Sequence, residues 1–162
     1  MKSIQQFIIK PIGQRYNNEL TVDDKKLIVN SSISNHKFVN REAVVVSTPL
    51  ALKTDIKVGD TVLVHHNLFR RYYNLKGKSV NSTKYFKDNM YFASVDQIYM
   101  YKRNNKWNTV LDYCFIKPVI NKDESKLSKL KNNIGIIKYD NSSLNALKIA
   151  IGDTVVFKSN RE

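Results

Sequence analysis

The sequence is poor in cysteine, glycine and proline, with one Cys, five Gly and three Pro among 162 residues. The single Cys114 excludes an internal disulfide, which suits a reducing cytosol, and its apolar neighbours favour a small core residue over a nucleophile. No apolar run is long enough to cross a bilayer. Pro11 and the lack of a small-residue cleavage site argue against a signal peptide near the start of the sequence. We therefore expect a cytoplasmic protein with no membrane partner.

Catalytic and ligand-binding motifs are also missing. No G-x-S-x-G, Walker or G-x-G-x-x-G motif occurs, and no Cys/His set has zinc spacing. His36 is isolated in the sequence. His65 and His66 are neighbours in a predicted strand, so they should point to opposite faces and cannot both bind one metal from that strand. The sequence predicts no enzyme, no cofactor and no metal site.

Acidic residues are few. The chain has 14 Asp and Glu and 27 Lys and Arg, which gives a formal net charge of +13. Such a charge raises the hypothesis of nucleic-acid binding. However, the chain holds 21 Lys but 6 Arg, together with 18 Asn and 15 Ile, residues whose codons are rich in A and T. The basic residues form no dense tail or stripe. Codon bias is therefore the preferred explanation of the charge, and phosphate binding is the second.

The sequence does contain short segments rich in Val, Ile, Tyr and Phe, bounded by Asn, Asp, Ser, Gly or Pro. Their spacing predicts an all-β protein built from small barrels or sandwiches. Residues 123–133 predict either one or two helical turns, since Leu127 and Leu130 lie three apart, or a lysine-rich loop. The predicted strands are 7–12, 42–48, 60–66, 90–95, 97–102, 113–120, 134–139 and 153–158.

One phrase occurs twice, as DIKVGDTVLVHH at 55–66 and as IAIGDTVVFKS at 149–159. Gly followed by Asp predicts a tight turn that leads into a strand. Two more segments recur in the same order, FIIKPI as FIKPVI and EAVVVST as GIIKYDN. Three matches in one order favour an internal duplication over chance similarity. The second copy has no counterpart of residues 17–38 and no counterpart of the closing hairpin of the first copy. Either the chain is truncated there or another element completes the sheet of the second copy.

The first copy, read in order, resembles the GroES-type co-chaperonins. The matching segments are FIIKPIG, KKLIVNSS, NREAVVVST, IKVGDTVLVHH and MYFASVDQIYMY. The resemblance covers residues 5–103 well and 113–158 in abbreviated form. Lys25-Lys26 replaces the glycine pair of the family, and residues 67–89 are longer and more basic than the usual hairpin. The chain thus resembles a divergent member of the kind that bacteriophages encode.

This resemblance implies a non-enzymatic lid that forms a homo-oligomeric ring, seven-fold in the family, and caps a GroEL-type chaperonin during ATP-dependent protein folding. It implies a GroES-like barrel at 1–105 with a mobile loop at 17–38, and a second, abbreviated repeat at 106–162. Leu27, Ile28 and Val29 would form the apolar tripeptide that docks on the chaperonin. The alternative is that 27–29 is another short core strand. A phage-encoded protein would act in the host cytoplasm.

Residues 70–73 (RRYY) and 85–86 (YF) are the best candidates for nucleic-acid binding, since aromatic rings stack on bases while arginines bind phosphates. The alternative is a hairpin whose aromatic rings pack on the barrel and whose arginines remain solvated. We favour the packed hairpin, and we expect no nucleic-acid partner on the co-chaperonin hypothesis. The second functional hypothesis is a basic β-barrel that binds nucleic acid or a phage structural partner.

Overall fold

The computed structural model describes residues 2–17, 19–23, 25–28, 35–120 and 130–157. Antiparallel strands dominate these ranges, so the predicted all-β fold is confirmed. Within them no helix has the length and apolar character needed to cross a membrane.

The chain divides into two units, unit 1 at Met1–Trp107 and unit 2 at Asn108–Glu162. The strands are β1 (Phe7–Pro11), β2 (Glu19–Val22), β3 (Lys25–Ile28), β4 (Glu42–Ser47), β5 (Thr61–Val64), β6 (Tyr72–Tyr73), β7 (Ser79–Val80), β8 (Tyr91–Ala93), β9 (Ile98–Arg103), β10 (Lys106–Thr109), β11 (Phe115–Ile120), β12 (Leu130–Tyr139) and β13 (Thr154–Val156).

Each of the eight predicted segments contains a strand, because runs of β-branched and aromatic residues favour the pleated backbone. The strands β2, β3, β6, β7 and β10 are not among the predicted ones, since β2, β3 and β10 have a polar composition that resembles that of loops and β6 and β7 span two residues each. Leu130 to Asn133 belong to β12, so both alternatives predicted for 123–133, helical turns and a loop, are wrong at those four positions. Residues 121–129, which include Leu127, lie outside the described residues.

The main sheet has the strand order β10-β9-β5-β4-β1-β8. β8 and β9 are consecutive in the chain, yet they lie on opposite sides of β5-β4-β1. Side by side in a flat sheet, β8 and β9 would stand about 19 Å apart. They are joined through the 3-10 helix Val95–Gln97, which rises only about 2 Å per residue. The sheet therefore curves around an apolar interior, whose fully buried side chains include Phe7, Ile9, Val62, Val64, Tyr91 and Ile98.

Unit 2 has a three-stranded sheet in the order β11-β12-β13, and this arrangement matches β1-β4-β5 of unit 1. In both, all the pairs are antiparallel, and the first strand has an irregularity at the same place. The paired residues are Ile9–Val45, Lys10–Val44 and Pro11–Ala43 in unit 1, and Ile116–Ile137, Lys117–Ile136 and Pro118–Gly135 in unit 2.

This register bears out the match of Lys10 with Lys117 but shifts the match of the two segment starts by one residue. Ile9-Lys10-Pro11 corresponds to Ile116-Lys117-Pro118, so Phe7 corresponds to Cys114 and not to Phe115. The shift arises because the sequence match places the two phenylalanines together. In the structure, β1 and β11 correspond through the residues that they pair with on β4 and β12.

The Gly-Asp turns of the two units are also alike. Gly59 and Gly152 have positive φ angles of 91° and 98°, which other residues rarely adopt. The peptide N–H of Lys57 donates to Asp60 Oδ2 at 2.8 Å, and that of Ala150 donates to Asp153 Oδ2 at 2.8 Å. The predicted tight turn that leads into a strand is therefore present in both units.

Candidate functional site

The two ends of the segment 17–38 lie next to each other in unit 1. The N–H of Asn17 donates to the carbonyl of Phe38 at 2.7 Å, and Tyr16 forms an antiparallel bridge with Val39. Between these ends, β2 and β3 form a separate two-stranded hairpin that turns at Asp23, whose φ is 47°. Neither β2 nor β3 is a strand of the main sheet.

The proposed docking tripeptide begins on this hairpin. Leu27 lies in β3 opposite Leu20, and its side chain is 54% exposed. Ile28 ends β3 opposite Glu19, and Val29 lies outside the described residues. The alternative that 27–29 belongs to the core is wrong for Leu27, because half of this apolar side chain faces solvent.

A second exposed surface is the segment 70–87, which we call the basic hairpin. It carries six cationic side chains and no acidic residue. Tyr73 is 61% exposed and Leu75 is fully exposed, near the turn that joins β6 to β7. Tyr85 and Phe86 make ring contacts with Tyr91 and Phe92, with centroids 5.4 and 4.9 Å apart. The predicted packing of aromatic rings thus applies to the base of the hairpin and fails at its tip.

The base of the basic hairpin is fixed by hydrogen bonds of Arg15, which lies outside the hairpin, and of Ser82, which belongs to it. Arg15 donates from Nε and one terminal nitrogen to the carbonyl of Phe69, at 3.1 and 2.7 Å, and from the other terminal nitrogen to Asn81 Oδ1 at 2.7 Å. The hydroxyl of buried Ser82 donates to the carbonyl of Leu68 at 2.6 Å. Arg15, Tyr16 and Arg71 also line a cleft of about 360 Å³. The tip is therefore exposed while both of its ends are fixed.

The three histidines lie together, contrary to the sequence prediction. β5 ends at Val64, and His65 caps a 3-10 helix by accepting the N–H of Asn67 at its Nδ1, at 3.1 Å. The His65 and His66 ring centroids are 4.4 Å apart, and those of His36 and His66 are 5.2 Å apart. The predictions that His36 is isolated and that His65 and His66 point apart are wrong, because strand alternation stops at Val64.

His65 and His66 lie in surroundings that disfavour their protonation. Burial, together with the nearby His65 and Arg41, lowers the pKa of His66 to about 4. Burial and Arg41 also lower the pKa of His65. In the part of the chain that the structure describes, no three His, Cys, Asp or Glu side chains are grouped so that they could hold a metal ion. His65 and His66 are therefore uncharged near neutral pH.

Comparisons with protein-family models, with curated proteins and with solved structures find no match for this chain.

Proposed function

We propose that the chain is a co-chaperonin, a GroES-like lid that binds a GroEL-type chaperonin and assists ATP-dependent folding. The observation that carries this proposal is the exposed Leu27 on a hairpin separate from the main sheet. The placement of the resembling segments supports it, since FIIKPIG covers β1, NREAVVVST covers β4, IKVGDTVLVHH covers β5 and MYFASVDQIYMY covers β8 and β9. Unit 1 would be the barrel of the family, and the protein would act in the cytoplasm as a ring.

The binding energy would come from apolar side chains that enter a groove on the chaperonin. A fully buried Leu side chain contributes about 1.5 to 3 kcal/mol relative to an exposed one, so a single hairpin would bind weakly. Several hairpins on one ring would bind together, because the first contact raises the effective concentration of the others. Leu27, Ile28 and Val29 would supply these anchors.

Co-sedimentation with a GroEL-type chaperonin in the presence of ATP tests the proposal. We expect the wild-type chain to co-sediment and Leu27→Asp to lose binding, since a carboxylate cannot enter an apolar groove without a large desolvation cost. Leu50→Asp is the matched control, because Leu50 is a similarly exposed leucine outside the hairpin. Both variants should keep the wild-type melting temperature. Absence of wild-type binding, or equal binding by the two variants, would contradict the assignment.

The basic hairpin supports a second candidate function, the binding of single-stranded nucleic acid. Exposed Tyr73 could stack on a base, and the guanidinium of Arg70 lies 5.1 Å from the ring centroid of Tyr72, so cation and aromatic groups alternate on one surface. If all six cations bound phosphates, the logarithm of affinity would fall with the logarithm of salt concentration with a slope of about −4.

Fluorescence anisotropy with labelled oligo-dT tests this candidate. Tyr73→Ala should weaken binding about ten-fold, consistent with the loss of one stacked base. Replacing Lys76 and Lys78 by Gln should reduce the salt slope, whereas replacing Lys10 and Lys57 by Gln, which removes the same charge elsewhere, should leave it unchanged. A wild-type affinity that is independent of salt rejects nucleic-acid binding at this surface.

A further inference from the structure

Unit 2 exposes positions whose counterparts in unit 1 are buried. Phe7 is fully buried whereas Cys114 is exposed, and Val64 is fully buried whereas Phe157 is 38% exposed. Asp60 is buried and Asp153 is exposed. The difference in burial is confined to certain positions, since other pairs of corresponding residues have the same burial in both units. Val45 and Ile137 are both buried, and Val58 and Ile151 are both exposed.

The positions that differ are those that β8 and β9 cover in unit 1. β8 pairs with β1 and places Ala93 opposite Phe7. β9 pairs with β5 and places Tyr101 opposite Val62 and Ile98 opposite Val64. In unit 2, β11 and β13 are the outer strands of the described sheet, and Val156 of β13 is 79% exposed. The two strand edges that are paired in unit 1 are thus the two edges that have no partner strand among the described residues of unit 2.

The Gly-Asp turn before β13 also differs from its counterpart in the ion pairs that the described residues form. Asp60 accepts hydrogen bonds from Arg103 of β9, at 3.0 Å from Nε and 2.5 Å from a terminal nitrogen. Asp153 accepts the corresponding backbone bond from Ala150, yet within the described residues it forms no ion pair. An arginine that followed a β9-like strand along the edge of β13 would reach this carboxylate.

We propose that the open edges of β11 and β13 bind a strand-turn-strand segment of a partner polypeptide, with alternating apolar residues and an arginine that pairs with Asp153. The occupant is specified by residues 91–103, which fill the same place in unit 1. Main-chain hydrogen bonds to both edges would give affinity, and the arginine would set the register. An exposed strand edge is otherwise a site of uncontrolled association. The proposal does not depend on the co-chaperonin function.

Disulfide trapping on the full chain tests the register, because Cys114 is the only cysteine. The probe is the sequence 89–104 carried at the end of a cysteine-free carrier protein, with Ala93→Cys. Residues directly opposite in an antiparallel pair have Cα atoms about 4.5 to 5.5 Å apart, within the range for a disulfide. In a glutathione redox buffer, this probe should form the mixed disulfide at least ten-fold faster than a probe with Asp96→Cys. Equal rates for the two probes would overturn the proposal.

A charge exchange tests the arginine. Asp153→Arg should slow trapping about ten-fold, the size expected for a lost hydrogen bond to a charged group, and Arg103→Asp in the probe should restore it. Asp60→Arg in the full chain is the control for a probe that replaces β9 in unit 1, where Asp60 would bind its arginine. This variant should not affect trapping at Cys114, because Cys114 lies in unit 2. If Asp153→Arg has no effect, or if Cys114 instead links two copies of the chain in preference to the probe, the proposed occupant is wrong.

Discussion

Arg103 and Asp60 lie 43 positions apart in the sequence, and their side chains join the end of β9 to the turn that precedes β5. The same guanidinium also donates to the carbonyl of Asp55 at 2.7 Å. Burial alone would raise the pKa of Asp60, but the hydrogen bonds from Arg103 and from the N–H of Lys57 outweigh it and hold the pKa below its usual value. This pair therefore stabilises the packing of β9 on the turn that precedes β5 when the carboxylate is ionised.

Asp60→Asn should reduce the free energy of unfolding of unit 1 by about 1 to 3 kcal/mol at pH 7. Because the folded-state pKa of Asp60 lies below the unfolded value of about 3.9, its stabilisation is present above about pH 4 and is lost as the pH falls through the folded value. Urea unfolding followed by the fluorescence of Trp107, the sole tryptophan, measures this at pH 7 and pH 3. The difference between wild type and variant should shrink at pH 3. A difference that stays constant with pH contradicts the role of the ionised pair.

His66→Gln should remove part of the acid sensitivity of unit 1 in a different pH range. The folded-state pKa of His66 is about 4, below the unfolded value of about 6.5, so the unfolded chain takes up the proton first as the pH falls. Stability is therefore lost between about pH 6.5 and pH 4, and the variant should lose less of it there. An NMR titration of the His66 ring gives the pKa directly. A value at or above 6 would show that burial does not disfavour the imidazolium.

Gly135→Ala should destabilise unit 2 by about 1 to 3 kcal/mol through overpacking. A Cβ at this position would clash with Cγ2 of Ile116 and would lie 3.0 Å from the carbonyl oxygen of Lys117. Its counterpart in unit 1 is Ala43, which is fully buried and accommodates a methyl group. Faster hydrogen exchange of β12 and β13 amides would measure the effect. Exchange that matches wild type would mean that β11 moves away from β12 at little cost.

Ser82→Ala should loosen the base of the basic hairpin. The hydroxyl of Ser82 is buried against the carbonyl of Leu68, and its loss leaves that carbonyl without this partner, at a cost of about 1 to 3 kcal/mol. Ser79→Ala is the matched control, since Ser79 lies exposed on β7. Thermal unfolding should separate the two variants. Equal melting temperatures would mean that another donor or water replaces the hydroxyl.

The strands could be predicted from the sequence because their signals are local. The segment EAVVVST reads as a strand without knowledge of its partner, and the Gly-Asp turn follows from the positive φ that Gly59 and Gly152 adopt. The hairpin of β2 and β3 is absent from the strands predicted from the sequence, since KKLI and ELTV are short and half polar. Exposure of Leu27 could not be read from the sequence, because an apolar residue at that spacing suits a core strand equally well.

The side-chain clusters depended on tertiary structure. His36 meets His66 only because the 3-10 helices that begin at these two residues come together, and no local pattern records that approach. Similarly, the clamp of Arg15 on Phe69 and Asn81 joins residues 54 and 66 positions apart. Contacts across such distances follow from how the sheet curves, and hydrophobic patterns do not encode that curvature residue by residue.

The two Gly-Asp turns separate what local sequence predicts from what long-range contacts decide. Their sequences are Gly59-Asp60-Thr61-Val62 and Gly152-Asp153-Thr154-Val155. Both segments form a turn followed by a strand, and the local sequence suffices to predict this, because the backbone freedom of glycine and the β-propensity of Thr and Val act within a few residues. The burial and pairing of Asp60 and the exposure of Asp153 depend instead on contacts with distant segments. In unit 1, β9 runs along the edge of β5, whereas no described strand runs along the outer edge of β13.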